Sequence, residues 1–172
     1  MLSVLCVLIT CGSSAIAYQM EDNVIRHAHL GEGYLSLRRY DEATAEFQIA
    51  LRLNPYSSMA ASIYNNLGFA YRKQQNYPMA IAAFQRAISI QPNFELYYKN
   101  LIETYQDYGA LADARQAFIR ILKLNPNDAE AWYLLGLIFE KTGEGDSAKT
   151  AFLNFLRLEP NARLARSANQ HL

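Results

Sequence analysis

An all-α solenoid of four helix-turn-helix repeats with a short C-terminal capping segment is predicted by three observations. Apolar residues recur at helical spacing in runs of matching length, polar turns separate the runs in pairs, and the last three pairs follow one another at intervals of 34 residues. The clearest copy runs from Ala129 to Ala162. Its first run carries Trp132, Leu135, Gly136 and Phe139 on one helical face, and a turn follows at Lys141-Thr142-Gly143-Glu144-Gly145. Its second run, Ala148 to Leu158, is closed by Glu159-Pro160. A single pair of this kind exposes an apolar face that it cannot cover, so copies must stack to make a core.

Length and charge narrow the function classes. The chain has 172 residues, of which 51% are hydrophobic, and 16 basic residues balance 16 acidic ones. A formal net charge of zero supplies no global field for nucleic acid or an anionic membrane, so neither is expected as a partner of the folded body. Cys6 and Cys11 are the only cysteines. The body therefore contains no disulfide framework and no thiolate metal site.

Residues 1–20, MLSVLCVLITCGSSAIAYQM, contain no charged side chain, whereas charges are scattered from Glu21 onward. An apolar run from Leu2 to Thr10 followed by small residues and the triplet Ala15-Ile16-Ala17 has the layout of a secretory signal peptide cleaved after Ala17. The run is short for a membrane span of about 20 residues, and only the α-amino group supplies positive charge before it. Leu8-Ile9-Thr10-Cys11 also resembles a bacterial lipoprotein signal, which makes Cys11 a lipidation candidate. The competing reading is a buried apolar helix that caps the first repeat, but a capping helix should carry a polar outer face. Membrane association is expected only through this N-terminus. The protein is expected outside the cytoplasm, periplasmic, secreted or lipid-anchored, if the leader functions, and in the cytoplasm otherwise.

Residues 21–172 form the repeat domain, with repeats at about 24–57, 61–94, 95–128 and 129–162, a cap at 163–172, and Ser58-Met59-Ala60 extra after the first copy. The leading aromatic position holds His27, Tyr64, Tyr98 and Trp132, and the next pair is Leu30-Gly31, Leu67-Gly68, Leu101-Ile102 and Leu135-Gly136. Then come Tyr34, Tyr71, Tyr105 and Phe139. The second helix carries Ala43, Ala80, Ala114 and Ala148, with Phe47, Phe84, Phe118 and Phe152 four residues later; Pro55, Pro92, Pro126 and Pro160 close the units. This pattern resembles the tetratricopeptide repeat family, W-x-x-L-G-x-x-Y, then A-x-x-x-F, then P. The resemblance implies a right-handed superhelical solenoid.

Small residues at facing positions let paired helices approach closely, and the rings fill the wedge between pairs. Proline ends each second helix, because it lacks an N–H and disfavours helical geometry in the residue before it. Asn127 or Asp128 can cap the helix that follows, and Pro78 suits the first turn of its own. Ile102 replaces the small residue of its pair, and Ile121 and Phe155 replace Ala50 and Ala87. The third and fourth repeats are therefore expected to be less tightly wound. Arg163 to Leu172 is expected as a solvating cap over Phe155 and Leu156.

No catalytic, cofactor or metal constellation emerges. His27 and His29, two residues apart, fall on different helix faces, whereas helical metal ligands favour i,i+4 spacing. Gly143-Glu144-Gly145-Asp146 is a turn rather than a calcium loop, which needs a longer ladder of oxygen ligands. Many of the tyrosines fall on core positions of the repeat, so packing accounts for much of the aromatic content.

The family resemblance implies a concave groove lined by the first helix of each pair. Carried onto this sequence, it names Ala28 and Glu32, then Ser62, Asn65, Asn66, Phe69 and Arg72, then Lys99, Asn100, Glu103 and Gln106, then Glu130, Tyr133, Leu137 and Glu140. Asn65, Asn66 and Asn100 can bond an extended peptide backbone, Phe69, Tyr133 and Leu137 can bury an apolar side chain, and Arg72 and Lys99 can pair with a carboxylate beside Glu103. An ordinary solvated face is the alternative. The clamp with which some family members hold a chaperone C-terminus is absent: Asn66 fits its middle place, but Ala28 and Glu32 occupy the first pair and Leu96 and Asn100 the last. The expectation is a non-catalytic adaptor or scaffold that binds a peptide segment or helix of a partner protein. The alternative is a membrane-anchored envelope lipoprotein that assists assembly of a bacterial surface complex such as a type IV pilus.

Overall fold

A computed structural model describes residues 2–159 and 163–172, with side chains described from residue 19 onward. Among the described residues the chain forms nine helices and no strand. They are α1 (Leu2–Ser36), α2 (Tyr40–Leu53), α3 (Ala60–Lys73), α4 (Tyr77–Ile90), α5 (Glu95–Asp107), α6 (Leu111–Leu124), α7 (Ala129–Thr142), α8 (Gly145–Leu158) and α9 (Arg163–Asn169). Helices pair in sequence order and each pair packs on the next, which makes the right-handed solenoid. α1 runs without a break across the composition boundary at residue 20. The Cys11 side chain and the Ala15-Ile16-Ala17 triplet lie outside the described side chains, and Pro160 lies outside the described residues.

Pairing depends on a ring seated against a missing side chain. Phe47, Phe84 and Phe152 are fully buried, and their rings lie against Gly31, Gly68 and Gly136. A β-carbon at those glycines would stand 2.5, 2.9 and 2.7 Å from the rings, closer than packed atoms tolerate.

The turn inside each pair is equally regular. Arg38, Gln75, Gly109 and Gly143 occupy matching places and all have positive φ, between 57° and 80°. In each turn two backbone N–H groups reach back to the end of the preceding helix, as when Gln75 donates to the Arg72 carbonyl at 3.0 Å and Asn76 to that of Tyr71 at 2.8 Å. This arrangement satisfies carbonyls that helix ends leave orphaned. Two repeats place a side-chain-bearing residue where glycine is least strained.

Between pairs, Asn54, Gln91 and Asn125 leave helical geometry just before their prolines, as expected of residues that precede proline. Asp128 is the cap of α7, accepting from the Ala131 N–H at 2.9 Å, and Pro78 lies in the first turn of α4. Tyr98 and Trp132 each donate to the carbonyl of the proline six residues earlier, Pro92 and Pro126, at 2.8 and 2.9 Å. Of the three extra residues, Ser58 and Met59 lie in the loop before α3 and Ala60 opens that helix, and the loop is fastened to α1. Glu21 accepts from Ser57 at 2.6 Å, Asn54 at 3.1 Å and Ser58 at 3.3 Å, and the Ser57 hydroxyl above all holds its carboxyl below the usual range.

Ile102 spreads the third pair as expected. It is buried in the glycine position, Phe118 is only partly buried, and α5 and α6 approach each other far less than the other pairs do. α6 instead joins α7 in a small separate cluster of Leu122, Ala131 and Leu135. The fourth pair does not loosen. Gly136 keeps α7 against α8, and Phe155 is accommodated beneath α9, whose Leu164, Ala165 and Ala168 are buried beside it.

Candidate functional site

The first helices of successive pairs, α1, α3, α5 and α7, lie side by side along one face of the solenoid, the face expected to be concave. Ala28 is buried, while Glu32, one turn on, is exposed. Across α1, α3 and α5 runs a ladder of side-chain bonds. Asn66 Nδ2 donates to Glu32 at 3.2 Å, Asn65 Nδ2 donates to the Asn66 carbonyl oxygen at 3.3 Å, and Asn100 Nδ2 donates to the Asn65 carbonyl oxygen at 2.7 Å. Each primary amide has two donors and two lone pairs, so the ladder leaves capacity for a ligand backbone. All three asparagines are partly buried, which orients them.

Arg72 is committed within the protein. Its guanidinium donates to Glu103 at 2.7 Å and to Asp107 at 2.6 Å, and its side chain is 16% exposed, so it latches α3 to α5. Burial alone would lower its pKa, but the two carboxylates outweigh that and raise it. Lys99 pairs with Glu95 one turn earlier. Phe69 is partly buried, with the Lys73 ammonium 5.1 Å from its ring centre.

Lys99, Ile102, Glu103, Leu137, Glu140 and Lys141 line a cleft of about 320 Å³ between α5 and α7. The cleft brings together four groove residues named from the sequence, Lys99, Glu103, Leu137 and Glu140. Leu137 forms an apolar floor at 5% exposure, with charges of both signs on the rim. Lys99 and Glu103 keep 48% and 47% of their side-chain surface exposed, so solvent screens them. Among the described residues no three His, Cys, Asp or Glu side chains cluster as metal ligands do.

Tyr133 requires a correction. It is not available to a groove ligand, because α9 packs over it and leaves it no exposed surface. Its ring meets those of Tyr98, Phe152 and Phe155, its hydroxyl lies 3.4 Å from the Ser167 hydroxyl, and burial pushes its pKa up to about 12. The fourth repeat instead offers Leu137, Glu140 and Lys141. Leu164, Ala165 and Ala168, apolar or small at helical spacing, were the signal in the tail for this second packing layer.

A family model described as tetratricopeptide repeat matches residues 61–94, and another of the same description matches residues 101–163. The chain belongs to the tetratricopeptide repeat family. As such a protein, it is 31% identical over 88 residues to the uncharacterized protein ycf37 of Guillardia theta, an overlap of 50% of this chain and 49% of that one. The chain thus spans about half the length of that relative. Among solved structures, MamA is similar at 27% identity with a TM-score of 0.53, over 80% of this chain and 79% of that one. YrrB, a tetratricopeptide repeat protein with an unusual peptide-binding site, shares the fold at 24% identity and a TM-score of 0.52, over 86% of this chain and 74% of that one. Among the described residues of this tetratricopeptide repeat protein, no helix is long and apolar enough to cross a membrane.

Proposed function

We propose that the protein is a non-catalytic scaffold whose concave groove receives a peptide segment or helix of a partner protein. The family is a protein-interaction module, which supports the general reading. The observation that carries the specific one is the continuous amide ladder of Asn66, Asn65 and Asn100, which opens beside the cleft between α5 and α7. Fixed amides bond main chain whatever its sequence, and the cleft adds selection through Leu137 for an apolar side chain and through Lys99 and Glu103 for charge. YrrB, of the same fold, is described by its peptide-binding site. The test is affinity capture of a partner followed by titration against a variant with Asn66→Ala, Phe69→Ala and Lys99→Ala together. Binding weakened by about 1–3 kcal/mol or more is expected from loss of central contacts, and unchanged binding removes the groove from the account.

We further propose that residues 1–20 direct export, by cleavage after Ala17 or lipidation at Cys11. The absence of charge from this stretch supports the reading. Mass spectrometry of the native protein decides it: a chain starting at Tyr18 or at a lipidated Cys11 agrees, and an intact Met1 contradicts it.

A further inference from the structure

The second repeat has an unusual charge pattern. From Phe47 to Phe94 there is no Asp or Glu, and the charged residues in that stretch are Arg52, Arg72, Lys73 and Arg86. Arg72 is taken up by the α3–α5 latch. Among the described residues neither Arg52 nor Arg86 forms an ion pair. The carboxylates of the preceding stretch of α2 are already engaged, Glu42 by Arg39, Glu46 by His27 and Asp41 by Gln74.

These two arginines flank a cavity that faces away from the groove. α3 presents Asn65, Asn66, Phe69 and Arg72 on one side and Tyr64, Leu67 and Tyr71 on the other, as the helical period requires. The second side floors a cleft of about 420 Å³ between α2 and α4, walled by Leu51, Met79 and Ala82 with Arg52 at the rim. The lining is mostly apolar. Met79 is 47% exposed although it borders a concave apolar surface. The Arg86 guanidinium lies 6.0 Å from the centre of the Tyr64 ring, so it stands over one edge of the floor. Gln48 donates to the Tyr71 hydroxyl at 2.7 Å, which fixes the floor.

We propose that this outer cleft is a second docking site, which takes a large apolar side chain from an acidic segment of a partner protein. The apolar floor supplies burial for the incoming side chain. Arg52 and Arg86 supply the charge complement, with no carboxylate between Phe47 and Phe94 to compete for them and those earlier in α2 engaged elsewhere. A scaffold with one site in its groove and another between α2 and α4 holds two partners at once.

The test uses a short fluorescein-labelled peptide of Asp and Glu around a Phe-Leu pair, a matched peptide with Lys for the acids, and fluorescence anisotropy with the full chain. Expected is saturable binding of the acidic peptide, weakened at least about tenfold by Arg52→Glu with Arg86→Glu and by Ala82→Glu, a fold-change that corresponds to about 1.4 kcal/mol. Ala82 is exposed, so its substitution leaves the core intact. Asn66→Ala in the groove should change nothing. Equal binding of the lysine peptide, no binding of the acidic one, displacement by an RNA oligonucleotide as effectively as by unlabelled peptide, or loss through Asn66→Ala alone overturns the proposal.

Discussion

The ring of Phe152 lies 2.7 Å from the point where a β-carbon on Gly136 would stand. The contact joins α7 to α8, and Phe84 with Gly68 repeats it between α3 and α4. Gly136→Ala and Gly68→Ala gain about 1 kcal/mol of helix propensity but force a fully buried ring to move. Overpacking of this kind costs about 1–3 kcal/mol, so a net loss of stability is expected for both in urea titration.

The turns give the opposite sign. Gln75 sits at φ 60° and Arg38 at φ 57°, where Gly109 and Gly143 stand in the later repeats. Left-handed geometry costs a side-chain-bearing residue roughly 1–2 kcal/mol, partly offset by the extra unfolded-state entropy of glycine. Gln75→Gly should therefore stabilise the protein by up to about 1 kcal/mol, and Gly109→Ala should destabilise it by a similar amount. Thermal unfolding of the two variants checks the pair.

Glu21 gives an acid-side prediction. Hydrogen bonds, foremost from Ser57, lower its pKa in the folded state. A carboxyl with a depressed folded pKa contributes stability that is present above its unfolded pKa and lost as pH falls through the folded value. Glu21→Gln should thus be less stable than wild type at neutral pH, with the gap closing below the ordinary carboxylate range. Denaturant midpoints measured across that range show whether it closes.

Tyr133 gives the alkaline counterpart. Burial first of all raises its phenol to about 12. The unfolded phenol ionises near pH 10, so stability that depends on the neutral ring is present below about 10 and lost as pH rises toward 12. Tyr133→Phe should remove this alkaline loss at a cost of about 1 kcal/mol or less, since the bond to Ser167 is long. Tyr133→Ala should cost about 3–5 kcal/mol, the range for deleting a buried ring. Absorbance titration of tyrosinate follows the first, and urea unfolding the second.

The solenoid was legible in the sequence because the requirement for stacking writes itself into every copy. Gly31, Gly68 and Gly136 face Phe47, Phe84 and Phe152 at constant spacing, and Ile102 marks the one pair that splays. The groove was legible only in part. Its asparagines follow from repeat position, but position does not say what a side chain meets across the repeats. Arg72 carries the charge expected of a ligand contact and spends it on Glu103 and Asp107. Tyr133 occupies a groove position and is covered by α9, whose Leu164, Ala165 and Ala168 reach beyond the cap over Phe155 and Leu156 expected of the tail. The turn at Gln75 was invisible for a related reason: its left-handed backbone is imposed by the helices it joins and not by a glycine.

A partner is expected to dock on the concave face, over α3 and α5. A photoreactive benzoylphenylalanine placed in turn at Asn66, Glu103 and, on α8, the exposed Arg157 tests it most directly in the native cell. The same ultraviolet-dependent protein adduct is expected from Asn66 and Glu103 and none from Arg157. An adduct from Arg157 with none from Asn66 or Glu103 would contradict it.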